Sequence, residues 1–225
     1  MKINKPYKTC PSFLKTVMRD IKAVKERDPA ARSALEVLLL YPGIHALILH
    51  RPAHCLYNRG LKFPARAISQ FSRFLTGIEI HPGAKIGKGI LIDHGSGVVI
   101  GETAEVGDGC TIYQGVTLGG TGKHTGKRHP TIGKNVIVGT GAKVLGPFEI
   151  GDGCKIASNA VVLRPLPPAA TAAGVPARVV RINGRKLSDA LNHVNIPDPL
   201  AMEVERLEGE IKRLSERVDG LTAEK

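Results

Sequence analysis

An aliphatic residue returns at every sixth position through the middle of this chain. It stands at Ile80, Ile86 and Ile92, then after a two-residue slip at Ile100, Val106, Ile112 and Leu118. Beyond a 13-residue interruption the register resumes at Ile132, Val138, Val144, Ile150, Ile156 and Val162. A helix would scatter side chains of this spacing around its axis. A lone strand would want an apolar residue at every second position, which is not the pattern. Turn formers follow the aliphatics, as in Ile86-Gly-Lys-Gly and Val106-Gly-Asp-Gly. The period fits hexapeptide coils, in which six residues make one flat face and its corner and three faces close a coil of about 18 residues.

Composition agrees with a narrow interior. Of 225 residues only nine are aromatic (five Phe, four Tyr, no Trp), while 26 are Gly. A core without large rings is filled by Val, Ile, Leu and Ala, which suits stacked coils better than a wide sandwich.

The flanks follow other rules. Phe13, Leu14, Val17, Ile21 and Val24 share one helical face. Asp28-Pro29 reads as the start of a second helix, with Asp as its cap. Tyr41-Pro42-Gly43 breaks that helix, Ile44 to Tyr57 resumes it, and Phe63 to Phe74 carries another. Near the other end, Leu200, Val204, Leu207, Ile211, Leu214, Val218 and Leu221 form a heptad seam. The expected fold class is α+β: an N-terminal helical domain over 1–76, then a left-handed parallel β-helix over 77–181 with an arm at 119–131. A linker over 182–199 and a coiled-coil helix over 200–222 complete it.

Net charge is +12, which favours polyanionic partners. No nucleic-acid motif accompanies it, and few rings could stack bases. Coenzyme A, rich in phosphate, is a second reading, and a basic solvated surface a third. The four cysteines lie far apart with no CxxC pair, and no apolar stretch approaches the length of a membrane span. The polar start Met1-Lys2-Ile3-Asn4-Lys5 does not resemble a signal peptide. The expectation is a cytoplasmic protein with reduced thiols, no nucleic acid and no membrane.

Two irregularities in the repeat are where chemistry could sit. The interruption Gly119 to Thr131 holds four glycines, three cations and two histidines. Such an arm could enclose a substrate, with Arg128 clamping a carboxylate. The two-residue slip lies beside Ile92-Asp93-His94-Gly95. His94 there could act as a general base, and Glu79, about one coil earlier, could hold its other ring nitrogen.

Several motifs, in this order, resemble the signatures of serine acetyltransferases. They are Arg27-Asp-Pro-Ala30, Ile80-His-Pro-Gly-Ala-Lys-Ile-Gly, Ile92-Asp-His-Gly, Gly101-Glu-Thr-Ala, Val116-Thr-Leu-Gly-Gly-Thr-Gly-Lys, Arg128-His-Pro and Ala173-Gly-Val-Pro-Ala-Arg178. The resemblance implies transfer of acetyl from acetyl-CoA to the hydroxyl of L-serine, with His94 as general base and no acyl-enzyme. It implies Asp28 and Asp93 against the serine ammonium, Arg128 on its carboxylate and His129 on its other side. Glu79 stands where the family usually has an aspartate as partner of the catalytic histidine. Acetyl-CoA is the co-substrate, with Gly120, Thr121, Lys123, Gly139, Ala142 and Lys143 as its expected contacts and no metal. The resemblance further implies a homotrimer with acetyl-CoA between subunits, and cysteine as feedback inhibitor in the serine pocket. The end Leu221-Thr-Ala-Glu-Lys225 lacks the terminal isoleucine of long members, which argues against a stable complex with cysteine synthase. The heptad tail could instead pair trimers into a hexamer.

Three other readings remain beside it. A hexapeptide acyltransferase acting on a sugar or amino sugar would not need the Asp28, Asp93 and Arg128 clamp. A β-helical metalloenzyme would use His81, His94, His124 and His129. A structural scaffold would leave the arm and the slip unexplained.

Overall fold

The chain climbs through three parallel sheets in strict rotation, as seen in a computed structural model that describes residues 13–122 and 125–186. The first sheet holds β1 (Glu79–Ile80), β4 (Val99–Ile100), β7 (Thr117–Gly119), β10 (Lys143–Leu145) and β13 (Val161–Val162). The second holds β2 (Lys85–Ile86), β5 (Glu105–Val106), β8 (Thr131–Ile132) and β11 (Glu149–Ile150). The third holds β3 (Leu91–Ile92), β6 (Thr111–Ile112), β9 (Ile137–Val138), β12 (Lys155–Ile156) and β14 (Ala170–Gly174). Antiparallel strands β15 (Ala177–Ile182) and β16 (Arg185–Lys186) close it. This architecture is consistent with a left-handed β-helix. The heptad seam, and Lys123 and His124 of the arm, lie outside the described residues.

The six-residue period becomes three ladders. Ile80, Ile100, Leu118, Val144 and Val162 align across the first sheet. Ile86, Val106, Ile132 and Ile150 align across the second, and Ile92, Ile112, Val138 and Ile156 across the third. All thirteen are buried except Ile86, which is half-buried in the first coil. A second inward position, two residues before each aliphatic, escapes the sequence pattern. Ala84, Ala104, Cys110, Ala142, Cys154 and Ala160 occupy it with no exposed surface. The same position takes Ile78, Ile90, Val98, Val116 and Val136, equally without exposed surface, so the coil accepts both small and branched side chains there. Cys110 and Cys154 are therefore interior fillers: each thiol donates to a carbonyl (Gly133 and Pro167, 3.0 Å). Burial pushes the Cys110 thiol up to about 11.

Among the described residues four helices precede the coils: α1 (Phe13–Arg27), α2 (Ala34–Leu40), α3 (Pro42–Asn58) and α4 (Lys62–Thr76). Asp28-Pro29 does not open a helix. The Asp28 carboxylate accepts from the amide of Ala30 at 2.8 Å, a local turn that competes with capping. Ser33 caps α2 instead, accepting from Glu36 N at 3.1 Å. Tyr41 both ends α2 and precedes α3, whose first residue is Pro42.

Polar clamps fasten the helices to the coils. Asp20, 2% exposed, accepts from Arg51 at 3.2 Å and from the amide of Ile90 at 3.1 Å. Arg51 also donates to the carbonyls of Ile86 and Gly87. Arg27 reaches the carbonyls of Gly89 and Cys110 and the hydroxyl of Thr111. This last clamp fixes the end of α1, and with it the neighbouring Asp28. Among the described residues no single helix is long and apolar enough to cross a membrane; α2 and α3 reach that length and composition only as a pair bent by 72°.

Candidate active site

The corner between the third and first sheets carries the expected base. Between β3 and β4 the chain turns through Asp93, His94 and Gly95, with Gly95 N donating to Asp93 O at 2.6 Å. His94 takes a φ of 56°, the left-handed region, which costs energy in a residue with a Cβ. Its side chain is exposed and makes no hydrogen bond or ion pair with the described residues. Asp93, the residue before it, is half-buried. Gly43 of α3 lies against this turn, where a Cβ would come within 2.2 Å of Ile92 O. The start of α3 is therefore seated directly on β3.

That seating brings Tyr41 and Asp28 to the same corner. The Tyr41 hydroxyl donates to Asp28 Oδ2 at 2.7 Å. This bond, with burial and the negative charges of Asp28, Glu36 and Asp93, pushes the phenol up to about 12. Asp28 and Asp93 thus share one electrostatic neighbourhood, suited to a cation.

Glu79 borders the corner but does not engage His94. Its amide bonds Val98 O, while its carboxylate is held by Arg66 and Arg73, each at 3.2 Å. The expected dyad is not formed in the single chain.

The corner between the first and second sheets carries the other half. His81, Glu102 and the arm occupy successive levels of this one edge, because each follows a strand of the first sheet. Arg128 Nη2 donates to Glu102 Oε2 at 2.5 Å, and Tyr57 of α3 donates to Glu102 Oε1 at 2.6 Å. Those bonds hold the Glu102 carboxyl below its usual range. The hydroxyl of Thr103 accepts from the amides of Arg128 (3.0 Å) and His129 (3.1 Å). His129 is 8% exposed, and burial, then Arg128, holds its imidazole below the ordinary value. A shallow cavity of about 290 Å³ lined by Tyr57, Glu102, Thr103 and Lys127 opens beside it. A larger cavity of about 550 Å³ sits at the last coil, around Lys155 and Arg181, and none of the site residues lines it.

The expected acetyl-CoA contacts fall into two groups. Gly120 and Thr121 form the base of the arm: Thr121 N donates to Arg128 O at 3.3 Å, and a Cβ on Gly120 would lie 3.2 Å from His129 Nε2. Gly139 and Lys143 belong to the coils; Gly139 N donates to Ile156 O, and Lys143 donates to Gly115 O. Ala142 is wholly interior, with its amide and carbonyl bonded to Gly139 and Thr117, so its side chain has no surface to offer. Lys123 lies outside the described residues. No group of three or more His, Cys, Asp or Glu among the described residues is arranged to hold a metal.

Sequence reasoning missed Tyr41, Tyr57, Glu102 and Thr103. A usable signal existed for Thr103. Carrying the period across the arm aligns Glu105 with Thr131, as the structure does, and so places 103 opposite 129.

A three-sided coil of hexapeptides with an arm at one corner and an exposed histidine at another defines a hexapeptide-repeat acyltransferase. Residues 129–164 match the bacterial transferase hexapeptide model, and residues 2–48 match that of the serine acetyltransferase N-terminal region. The serine acetyltransferase of Bacillus licheniformis is 54% identical over 206 residues, covering 92% of this chain and 95% of its own. The soybean serine acetyltransferase solved as a complex with serine superposes with a TM-score of 0.74 at 46% identity, over 76% of this chain and 70% of that one. A serine acetyltransferase solved in complex with cysteine gives 0.76 at 43%, over 84% and 74%. The chain belongs to the serine acetyltransferase family and carries that activity, for which the family implies acetyl-CoA as co-substrate.

Proposed function

We propose that the chain makes O-acetylserine by direct transfer from acetyl-CoA, on a left-handed coil, with each site built between two copies. The observation that carries this is the split of the polar residues. Asp28, Asp93 and His94 sit at the corner entering the first sheet, and Arg128 and His129 at the corner leaving it. One serine cannot touch both edges of the same coil, whereas a threefold ring can set one edge of a subunit against the other edge of its neighbour. A homotrimer is therefore the assembly proposed.

In that site Asp28 and Asp93 hold the serine ammonium and Arg128 its carboxylate. His94 takes the proton from the serine hydroxyl as the oxygen attacks the thioester carbonyl. The tetrahedral oxyanion then collapses, the carbon–sulfur bond breaks, and the departing thiolate takes the proton from His94. No acyl-enzyme is required, because thiolate is already a good leaving group. Glu79 is the proposed support for the other ring nitrogen of His94, using carboxylate lone pairs that its two arginines leave free. Gly120, Thr121, Lys123, Gly139 and Lys143 are the proposed acetyl-CoA contacts; Ala142 would contribute through coil shape alone. Catalysis needs no metal in this scheme.

One relative is solved with serine and another with cysteine. Because the two amino acids share the ammonium and carboxylate that Asp28, Asp93 and Arg128 would hold, cysteine is the proposed competing inhibitor here. The proposed protein works in the cytoplasm. β15 and β16 take up the first residues of the expected linker, through Lys186, which leaves 187–199 as the proposed linker and 200–222 as a coiled-coil helix that joins trimers into a hexamer. The decisive measurement is CoA release from acetyl-CoA with L-serine against a panel of sugars and other amino acids. Serine-dependent release is expected, and equal release with a sugar would defeat the assignment.

A further inference from the structure

The Gly101-Glu102-Thr103 segment lies one coil from the arm, and each of its residues touches Arg128 or His129. A Cβ on Gly101 would fall 2.0 Å from both Cδ2 and Nε2 of His129, so only glycine leaves room for the ring. Glu102 takes one edge of the Arg128 guanidinium, whose other donors make no side-chain hydrogen bond with the described residues.

Thr103 does something more specific. Its hydroxyl oxygen accepts two amide protons, from Arg128 and His129, which fills both lone pairs. Its own proton is then left to donate, and His129 Nδ1 stands 2.9 Å away. The amide of Thr103 donates to the same nitrogen at 3.2 Å. An amide N–H can only donate, so Nδ1 must be the accepting nitrogen. The ring proton therefore resides on Nε2. A second proton on Nδ1 would break both bonds at once.

We propose that Thr103 is a positioning residue that locks His129 as a neutral ring protonated on Nε2, so that His129 serves as a fixed donor to an anionic oxygen of the substrate and never as a base. Nε2 makes no hydrogen bond with the described residues, which leaves its proton for a ligand. The adjacent Arg128 cation selects the same kind of partner, a carboxylate oxygen. The ring's surroundings favour the neutral state: burial first, then Arg128, His81 and Lys127 oppose a positive charge, against the opposite pull of Glu102. Two histidines on two edges then have opposite duties, His94 accepting a proton and His129 only donating a hydrogen bond. The part played by the substrate rests on the serine reading above, whereas the tautomer does not.

The test is a proton–nitrogen correlation spectrum of the full-length protein labelled with ¹⁵N-histidine, with His129 assigned by loss of its signals in His129→Asn. The Nε2-protonated pattern is expected to persist unchanged from about pH 6 to about pH 8. An Nδ1-protonated ring, or an imidazolium within that range, would overturn the proposal. Kinetics supply the second arm. Thr103→Val keeps the shape and removes the hydroxyl, and should raise the KM for serine about tenfold with the KM for acetyl-CoA unmoved. It should also add a new ionisation near neutrality to the pH profile, and Thr103→Ser should restore both. Equal behaviour of the Val and Ser variants would sink the positioning role. A wild-type enzyme inactive on serine would defeat the serine reading and leave the spectrum to decide the tautomer.

Discussion

The hydroxyl of Tyr41 donates to the carboxylate of Asp28 across 2.7 Å, joining the residue before α3 to the residue after α1. Asp28 Oδ1 is meanwhile held by the amide of Ala30. The carboxylate is thus fixed at both oxygens before any substrate arrives. With the phenol pushed up to about 12, Tyr41 stays a donor throughout any ordinary assay range. Tyr41→Phe removes a hydrogen bond to a charged group, which is worth about 1.5–3 kcal/mol in general. Partial exposure puts the effect near the low end. The KM for serine should rise about tenfold with kcat little changed, as measured by CoA release over a serine titration. A fall in kcat alone would mean that Asp28 serves the chemical step and not binding.

Division of the site between two edges makes a prediction about mixtures. His94→Ala alone should lose about 10²–10⁴-fold in turnover, the usual worth of a general base. Arg128→Ala should be inactive at ordinary serine concentrations through lost binding. When the two are unfolded and refolded together, a ring can pair an intact His94 edge with an intact Arg128 edge. Random mixing in threes leaves about a quarter of the sites whole. Recovery of roughly that share of wild-type activity is expected, and a mixture as inactive as its parts would place both halves within one chain.

What the sequence made legible follows from how far each signal reaches. The ladders needed only local counting, because Ile80, Ile86 and Ile92 each repeat the same local environment. The second buried ladder was hidden, since Ala104 or Cys110 looks like a turn filler until the coil closes around it. His94 and Arg128 stood out beside breaks in a regular pattern. Tyr41 and Tyr57 could not, because their partners Asp28 and Glu102 depend on how helices settle on the coils. Asp28-Pro29 misled for a related reason. A carboxylate that can cap a helix can also bend the chain onto its own Ala30 amide, and the clamp of Arg27 onto Gly89 holds it there.

The clamp between α1 and the coils should be a principal support of the fold. Asp20 is 2% exposed and bonds both Arg51 and the Ile90 amide. Asp20→Ala would strand the arginine against the carbonyls of Ile86 and Gly87 and leave the Ile90 amide unpaired. Removing one partner of a buried pair costs about 3–5 kcal/mol. A denaturant titration should give a loss of that order, and a change below about 1 kcal/mol would show the pair to be solvated.

His50 predicts how stability depends on pH. It is buried in α3 with Nδ1 unpaired, and burial holds its imidazole well below the ordinary value; His54, Arg51 and His81 add to the effect, and a bond with the backbone at Ala84 opposes it. The unfolded chain takes up the same proton at about pH 6.5. Below that pH the unfolded state binds more protons than the folded one, so stability is complete above it and declines as pH falls. His54 and His81, also lowered mainly by burial, act in the same direction. Each such group contributes a slope of up to about 1.4 kcal/mol per pH unit. The midpoint of thermal unfolding should therefore drop between about pH 7 and about pH 5. His50→Gln, which cannot take up a proton, should flatten that decline even if it lowers the midpoint overall. An unaltered slope in the variant would mean that His50 does not stay neutral in the folded protein.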